Sequence, residues 1–503
     1  MVLGAGLLSG AAVLASTARG IGITPTDSLA YLTMADRVAS GHSPYPTIVG
    51  VESTHYPPGW SLLVGAIGAV VPGDSMDVGR VVNAALVVLL PVLVYAALRS
   101  RAARSPWIPV VVGVYVAASY PLFELGSRAV SEPLFLALLV ATLMAIERFG
   151  RTGSDARLVV ASLLVGALTL TRFVGLAALV PLGLAVLATT PTWGRRATRL
   201  ALVGLAAVLP TAAWYVLAPG SLASTHLSGR DPAGLDPLLV TIKNAGATLG
   251  RGVFLPSPIR YGLGLVLLAA PFVLVAVSRA ATSGLDRWRQ RIAAAAAPLG
   301  AGPWLWFLVV YTPLVAVQRW SGGAPILARY WLPYWIVTVV ILGRCLLVWA
   351  VWPARPWRTA TTVACASLVL LATYNAAQVV ATARTNAQDG ITLNAVRYQD
   401  SSLFASIADG RPDVIFADDD YVASFQTYAH GRLVPVHRMS CHVSAIDDLV
   451  DDLAAEAATG ATAAVALFGR CRHGEFEDAL RERLQPARVE EERGVGVLLW
   501  PSP

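Results

Sequence analysis

The sequence predicts a polytopic α-helical membrane protein of about eleven transmembrane helices, with a small C-terminal extracytoplasmic α/β domain. Three observations carry that expectation. Apolar residues make up 55% of the 503 and charged residues only 14%, with a mean hydropathy of +0.61, where a soluble domain carries about a quarter charged residues. Apolar runs near spanning length recur along the first three quarters, separated by short arginine-bearing linkers. The charge also divides: from Arg384 onward 19 acids face 11 arginines, whereas the preceding part holds 12 acids and 27 bases. A net charge of +7 split in this way argues for topology and against a nucleic-acid partner.

The first run, Val2 to Thr17, is almost wholly apolar though short for a full crossing. It resembles a signal peptide but lacks a basic leading region and a cleavage motif, so it is read as a retained helix whose start is open. Further runs lie near 80–98, 107–122, 131–147, 200–217, 261–278, 299–317, 330–351 and 359–382. Basic linkers sit at Arg99/Arg101/Arg104, Arg148/Arg151/Arg157, Arg195/Arg196/Arg199, Arg279/Arg287/Arg289/Arg291 and Arg355/Arg358. The positive-inside rule places all five in the cytoplasm. Two of them flank the stretch from Leu158 to Thr189, which must then cross twice. At about 1.5 Å per residue that stretch is shorter than two hydrocarbon cores of about 30 Å. It is expected to form two short helices turning near Thr171 and Arg172. The N-terminus falls inside and the C-terminus outside.

This topology puts 19–79, 122–130, 218–260 and 318–329 on the outer face, with the tail. Nine of the twelve membrane-part acids then lie outside: Asp27, Asp36, Glu52, Asp74, Asp77, Glu124, Glu132, Asp231 and Asp236. The loop from 19 to 79 is longer than a structural connector needs, and long ordered loops tend to be functional. Asp27 sits just past the first apolar stretch, where a carboxylate at a bilayer edge is a candidate catalyst. Its alternative role is to N-cap a helix from Ser28 to Ser40. Later in that loop, Pro57 to Val71 is too short to span and is expected at the interface, with Trp60 in an aromatic belt. The segment 218–260, with Asp231, Asp236, Lys243, Arg251 and several prolines, reads as a lid-like loop or an inert connector. Outer arginines are few and sit at helix ends: Arg80, Arg128, Arg172 and Arg329. Arginine binds phosphate bidentately, so several converging on one face beside a carboxylate point to an anionic headgroup.

At these residues the chain resembles the GT-C class of integral membrane glycosyltransferases, in the branch of protein O-mannosyltransferases and lipid A aminoarabinose transferases. The likeness covers most of residues 1–382. Asp27 with Tyr31 and Ala35 one helical turn apart matches a first-loop motif of that class. His55-Tyr56-Pro57-Pro58 matches its Lys-Pro-Pro segment in part, Tyr56 standing where a lysine is common. Ser131-Glu132-Pro133 resembles the opening of the fourth helix, Thr171-Arg172 a short basic turn, and Arg329-Tyr330-Trp331-Leu332-Pro333 the start of a late span.

The resemblance implies a polyprenyl-phosphate sugar as donor and a lipid, glycan or protein hydroxyl as acceptor, at the outer face of the plasma membrane. The residues support that reaction on their own chemistry. A phosphate monoester beside arginines leaves readily, so one carboxylate to deprotonate the acceptor suffices. Asp27 is the candidate base, with Arg128, Arg172 and Arg329 as candidate phosphate ligands and displacement inverting the anomeric centre. Tyr31, His55, Tyr56, Glu132 and Tyr330 are further substrate-site candidates. Glu132 is expected to orient the sugar or acceptor or to bind a divalent cation, with packing at a helix N-terminus as the rival role. Two other functions compete: a transporter or flippase of lipid-linked saccharides, and a non-catalytic assembly subunit. The chain shows no internal repeat, and its charge lies along one membrane face rather than at the midplane.

Residues 1–383 form the expected membrane domain and 384–503 the external one. In the tail, 413–418, 432–436, 463–468 and 494–500 read as strands, with helical patterns at 420–428, 445–458 and 475–484. No glycine-rich phosphate loop follows any strand, so the domain is assigned acceptor binding or a structural role. Cys345 and Cys365 fall in apolar runs and read as core residues. Cys441 and Cys471 lie where oxidation is permitted and read as a disulfide. Free thiols, or a metal site with His437, His442 and His473, are the alternatives.

Overall fold

The computed structural model describes residues 1–217, 302–320, 328–418 and 436–501 apart from breaks of one to three residues, together with 268–276 and a few isolated positions. His55, the expected loop 218–260, the linker arginines at 279–291 and His473 lie outside the described residues. The chain opens with α1 (Val2–Ser16), then α2 (Asp27–Ala39), the antiparallel two-residue strands β1 (Thr47–Ile48) and β2 (Val51–Glu52), and α3 (Gly59–Gly68). The helical body continues with α4 (Ser75–Arg99), α5 (Trp107–Ala117), α6 (Tyr120–Gly126), α7 (Glu132–Thr152) and α8 (Asp155–Thr171). It closes with α9 (Leu179–Thr189), α10 (Trp193–Leu217), α11 (Pro303–Trp320), α12 (Leu332–Ala350) and α13 (Arg355–Asp389).

Local chemistry fixes several of these boundaries. The Asp74 carboxylate accepts the Asp77 N–H at 2.8 Å and so caps α4. Helix α7 begins Glu132-Pro133, acid and proline both suiting the first turn, and ends at Gly153 in the left-handed region at φ 63°. The stretch from Leu158 to Thr189 breaks where its length requires. Helix α8 stops at Thr171, Arg172 is extended (φ −155°, ψ 132°), and a 3-10 turn over Phe173–Ala178 leads into α9.

Among the described residues, five helices are long and apolar enough to cross a membrane: Ser75–Arg99, Glu132–Thr152, Trp193–Trp214, Arg329–Ala350 and Pro356–Asp389. Helices α5 and α6, bent by 50° at their junction, form a sixth if they are one broken span. Val2–Ser16, Phe173–Thr189 and Pro303–Val315 are apolar but shorter, and the run expected near 261–278 is described only in part. Helix α4 packs against α1, α5 and α7, while α8 bridges α7 and α10.

Helix α3 departs from expectation. It is short and apolar as anticipated, but Trp60 is fully buried rather than in an interfacial belt. Its ring lies 5.9 Å from that of Tyr31, and its indole N–H donates to the Asn83 side chain at 2.9 Å. A buried partner for the N–H removes the need for water. Close approach is made by glycine: a Cβ at Gly65 would fall 2.6 Å from the Ala35 carbonyl, and one at Gly59 2.7 Å from Thr171 Oγ1. Helix α3 is thereby clamped between α2 and the end of α8.

Beyond α13, α14 (Ser402–Gly410) precedes a five-stranded sheet of order β4-β3-β5-β7-β6. Its strands are β3 (Val414–Ala417), β4 (Val436–Arg438), β5 (Ala463–Leu467), β6 (Arg488–Glu492) and β7 (Gly496–Trp500), interrupted by α15 (Ile446–Ala458) and α16 (Glu475–Leu484). Strand β3 runs parallel to β4 and β5, while β7 is antiparallel to β5 and to β6. Side chains alternate along each inner strand. Val414, Phe416, Val465, Leu467, Val497 and Leu499 pack under α15 and α16. Ile415, Ala417, Ala464, Ala466 and Leu498 face the other way, into a core shared with Ile21, Ile23, Tyr31 and Trp60. The tail is thus cemented to the first loop. Polar contacts reinforce it: the Ile23 N–H donates to Thr392 Oγ1 at 2.7 Å, and the Asn394 amide to the Ile21 carbonyl at 2.5 Å.

Candidate active site

The site is assembled where the starts of α2, α7 and α12 meet the turn after α8. Ser28 fixes the first of these. Its hydroxyl accepts the Thr24 N–H at 2.8 Å and donates to the Ala129 carbonyl at 2.7 Å, tying α2 to the segment that leads into α7. One turn later the Tyr31 hydroxyl lies 3.2 Å from Ser131 Oγ, beside the first residue of α7. A parallel bridge between Gly22 and Arg128 continues the same fastening, with N–H to carbonyl distances of 2.8 Å on both sides. These contacts bring Asp27 and Glu132, 105 positions apart, to one place.

Two carboxylates and two guanidiniums converge there. Arg329 Nη2 lies 2.5 Å from Asp27 Oδ2, and its Nε lies 3.4 Å from Glu132 Oε1. Arg172 Nη1 reaches the same Glu132 oxygen at 2.6 Å. The Arg172 guanidinium also sits over the Tyr330 ring, 4.9 Å from its centroid, and the Tyr311 hydroxyl holds the Tyr330 carbonyl at 2.5 Å. The acids differ in access. The Asp27 side chain keeps 21% of its surface exposed and Glu132 only 4%. Glu132 is therefore the buried post on which two arginines are oriented, and Asp27 is the acid that incoming groups can meet. Tyr31 stays a neutral hydroxyl: burial, then the nearby Asp27 charge, push its pKa above the usual phenol value.

The residues expected at a site divide accordingly. Asp27, Glu132, Arg172, Arg329, Tyr330 and Tyr31 are brought together. Tyr56 borders them, its ring edge-on to Tyr31 with centroids 5.9 Å apart. Two arginines expected on the outer face point elsewhere: Arg128 pairs with Glu124 at 2.9 Å, and Arg80 with Asp77 at 3.3 Å and the Thr17 carbonyl at 3.1 Å. Asp27 is the first helical residue of α2, and it spends its carboxylate on Arg329 across the site. Both guanidiniums approach Glu132 through Oε1, while Oε2 is buried with no hydrogen-bond partner among the described residues. Ser131 and Tyr311 were not anticipated. In the sequence Ser131 is simply the residue before Glu132, and Tyr311 sits inside an apolar run with no polar neighbour pattern to single it out.

In the tail, Cys441 and Cys471 form a disulfide with Cα atoms 5.1 Å apart. With Asp418 they make the one described group of three residues close enough to share a metal. The bonded sulfurs remove it as a metal site, and Asp418 instead accepts the N–H groups of Phe468 and Cys471 at 2.6 and 3.0 Å.

The same architecture is found in ArnT from Cupriavidus metallidurans in the apo state, which covers 97% of this chain and 95% of its own at TM-score 0.53 and 14% identity. The chain has the fold of ArnT. ArnT from that organism bound to undecaprenyl phosphate also aligns, over 98% of this chain and 96% of its own, at TM-score 0.51 and 14% identity. No protein-family model and no curated protein sequence matches. The alignment with ArnT runs through the C-terminal sheet as well as the helices, so the fold resemblance includes the domain cemented to the first loop.

Proposed function

We propose that this chain is a membrane glycosyltransferase that moves a sugar from a polyprenyl-phosphate donor to an acceptor hydroxyl at the outer face of the plasma membrane. The observation that carries this is the Asp27–Arg329–Glu132–Arg172 cluster at one end of the helical body. The fold context supports it: a solved ArnT structure of the same architecture binds undecaprenyl phosphate.

The chemistry needs three events. The acceptor O–H gives its proton to Asp27. The acceptor oxygen bonds to the anomeric carbon from the face opposite the phosphate, and the carbon–oxygen bond to phosphate breaks with its electron pair. The polyprenyl phosphate departs as a monoester carrying the additional negative charge, which Arg172 and Arg329 neutralise. Backside displacement inverts the anomeric configuration. Arg329 links the two halves of the reaction, since it rests on Asp27 at 2.5 Å. A phosphate competing for that guanidinium loosens the pair and frees the Asp27 carboxylate to meet the acceptor once a donor is present. Deprotonation is then tied to donor binding, which disfavours wasteful activation of water. Glu132 keeps both arginines aimed, and the Tyr330 ring beneath Arg172 limits its swing.

The test is a transfer assay with purified protein and a panel of polyprenyl-phosphate sugars, alongside Asp27→Asn. Transfer from at least one donor, lost in the variant, is expected. Donor binding without transfer, accompanied by movement of the lipid-linked sugar between leaflets, would overturn the reading in favour of a flippase.

A further inference from the structure

The end of the helical body away from Asp27 carries a second buried charge cluster with the opposite balance. Glu147 and Arg344 each lie fifteen positions after a site residue, Glu132 on α7 and Arg329 on the run into α12. Fifteen helical residues rise about 22 Å, so the second cluster sits near the other face of a hydrocarbon core of about 30 Å. Here one carboxylate meets three guanidiniums. Arg344 Nη2 lies 2.6 Å from Glu147 Oε2, Arg151 Nη2 lies 2.6 Å from Oε1, and Arg101 also reaches Oε1. The Trp304 indole N–H points at Oε2 from 3.3 Å, and the Arg344 guanidinium sits 4.8 Å above that ring.

The charges do not balance. Among the described residues, one acid and three arginines leave two positive charges, in a place where Arg344 keeps only 3% of its side chain exposed. Arg344 Nε is buried with no hydrogen-bond partner among the described residues. Burial, and then the neighbouring Arg344 and Arg151 guanidiniums, push the Arg101 guanidinium down to about 9. A guanidinium with that value is still charged at neutral pH, so the three cations repel one another and a bound anion would relieve them. The only other acids that the sequence places at this end are Asp155 and Asp286. Asp155 is engaged by Arg199, at 2.6 Å, and Asp286 stands among four linker arginines.

We infer that the Arg101–Arg151–Arg344 cluster at the cytoplasmic end of the bundle is a binding site for a phosphate-bearing anion, in the membrane the headgroup of an anionic phospholipid. Basic pockets between helices on the cytoplasmic side suit such headgroups. The placement fits: Arg151 is half-exposed and Arg101 partly so, and both extend toward the headgroup layer as arginines at helix ends do. Arg344 supplies the buried floor of the site. The proposal does not depend on what the opposite face catalyses.

The experiment uses the full chain in nanodiscs and the double variant Arg101→Gln/Arg151→Gln. That variant leaves Arg344 and Glu147 as a neutral pair and should fold. A control, Arg148→Gln/Arg157→Gln, removes the same charge from exposed positions at the same end. Wild type and control should melt higher in phosphatidylglycerol than in phosphatidylcholine. Native mass spectrometry should show them retaining phosphatidylglycerol with an affinity about tenfold or more above that of the cluster variant. An arm with inorganic phosphate in phosphatidylcholine discs separates the sources. A response to phosphatidylglycerol alone assigns a lipid headgroup, and an equal response to phosphate assigns a soluble anion. No anion response in the wild type, or one that the cluster variant keeps in full, would overturn the site.

Discussion

Asp27→Asn is the sharpest perturbation, because the structure separates its catalytic from its structural cost. Asparagine keeps the volume and an oxygen that can accept from Arg329 Nη2, now 2.5 Å from the carboxylate. The four-group cluster loses one negative charge, but Arg329 still has Glu132 at 3.4 Å and Asp27 is the more exposed acid. The loss is therefore that of one charge-assisted hydrogen bond, about 1–3 kcal/mol, and not the 3–5 kcal/mol or so of a buried charge left alone. Removal of a general base costs about 10²–10⁴ in rate, equivalent to about 3–5 kcal/mol of barrier at 1.36 kcal/mol per tenfold. Turnover of a labelled polyprenyl-phosphate sugar, thermal melting and donor binding should be measured on the same preparation. The expected pattern is near-native melting and binding with turnover down by at least about a hundredfold. A folded variant within about tenfold of wild type would refute the assignment of Asp27 as base.

The remaining expectations follow from the same contacts. Arg172→Lys and Arg329→Lys should each raise the donor KM more than the acceptor KM, since lysine keeps the charge but lacks the fork; equal effects on both would argue against phosphate contact. Glu132→Gln should destabilise by about 3–5 kcal/mol, because it strands two guanidiniums with one partly exposed acid; thermal melting checks this. Cys441→Ser/Cys471→Ser should cost about 3–4 kcal/mol of local stability from the 30-residue separation, seen as faster hydrogen exchange over the sheet. Glu492 titrates oppositely to its burial: desolvation raises its pKa, but donors from Ser401, Leu403 and Ser402 outweigh it and hold the carboxyl below the usual range. With the folded pKa depressed, its contribution is present above the unfolded value of about 4.5 and is lost as pH falls through the folded one. Exchange in α14 should rise in that acid window, and Glu492→Gln should flatten the dependence.

How far the sequence alone led depended on which physical signal each residue carries. Arg172 and Arg329 were legible because an arginine at the outer end of an apolar helix breaks the charge asymmetry that membranes impose. Glu132 was legible as an acid opening a span, yet its partners were not, since two long-range ion pairs leave no periodic trace. Arg128 carried the same signal as Arg329 and proved to pair locally with Glu124; an arginine four residues after a glutamate on short helical structure was a warning. Trp60 was misplaced because a tryptophan at the start of a short apolar helix reads alike whether lipid or Asn83 receives its N–H. Strand β6 was missed for a related reason. As an edge strand with Glu490, Glu491 and Glu492 in succession, it shows the charge that protects edges rather than the alternation that marks inner strands. Glu147 and Arg344 were the strongest unused signals. Each is a charge inside a run otherwise fit for lipid, where an ionised side chain persists only with a partner. Matching them would have required knowing that α7 and α12 run the same way, fifteen residues from the site on each. That relation belongs to packing, and the two ion-paired ends hold the helices in the register on which the geometry around Asp27 depends.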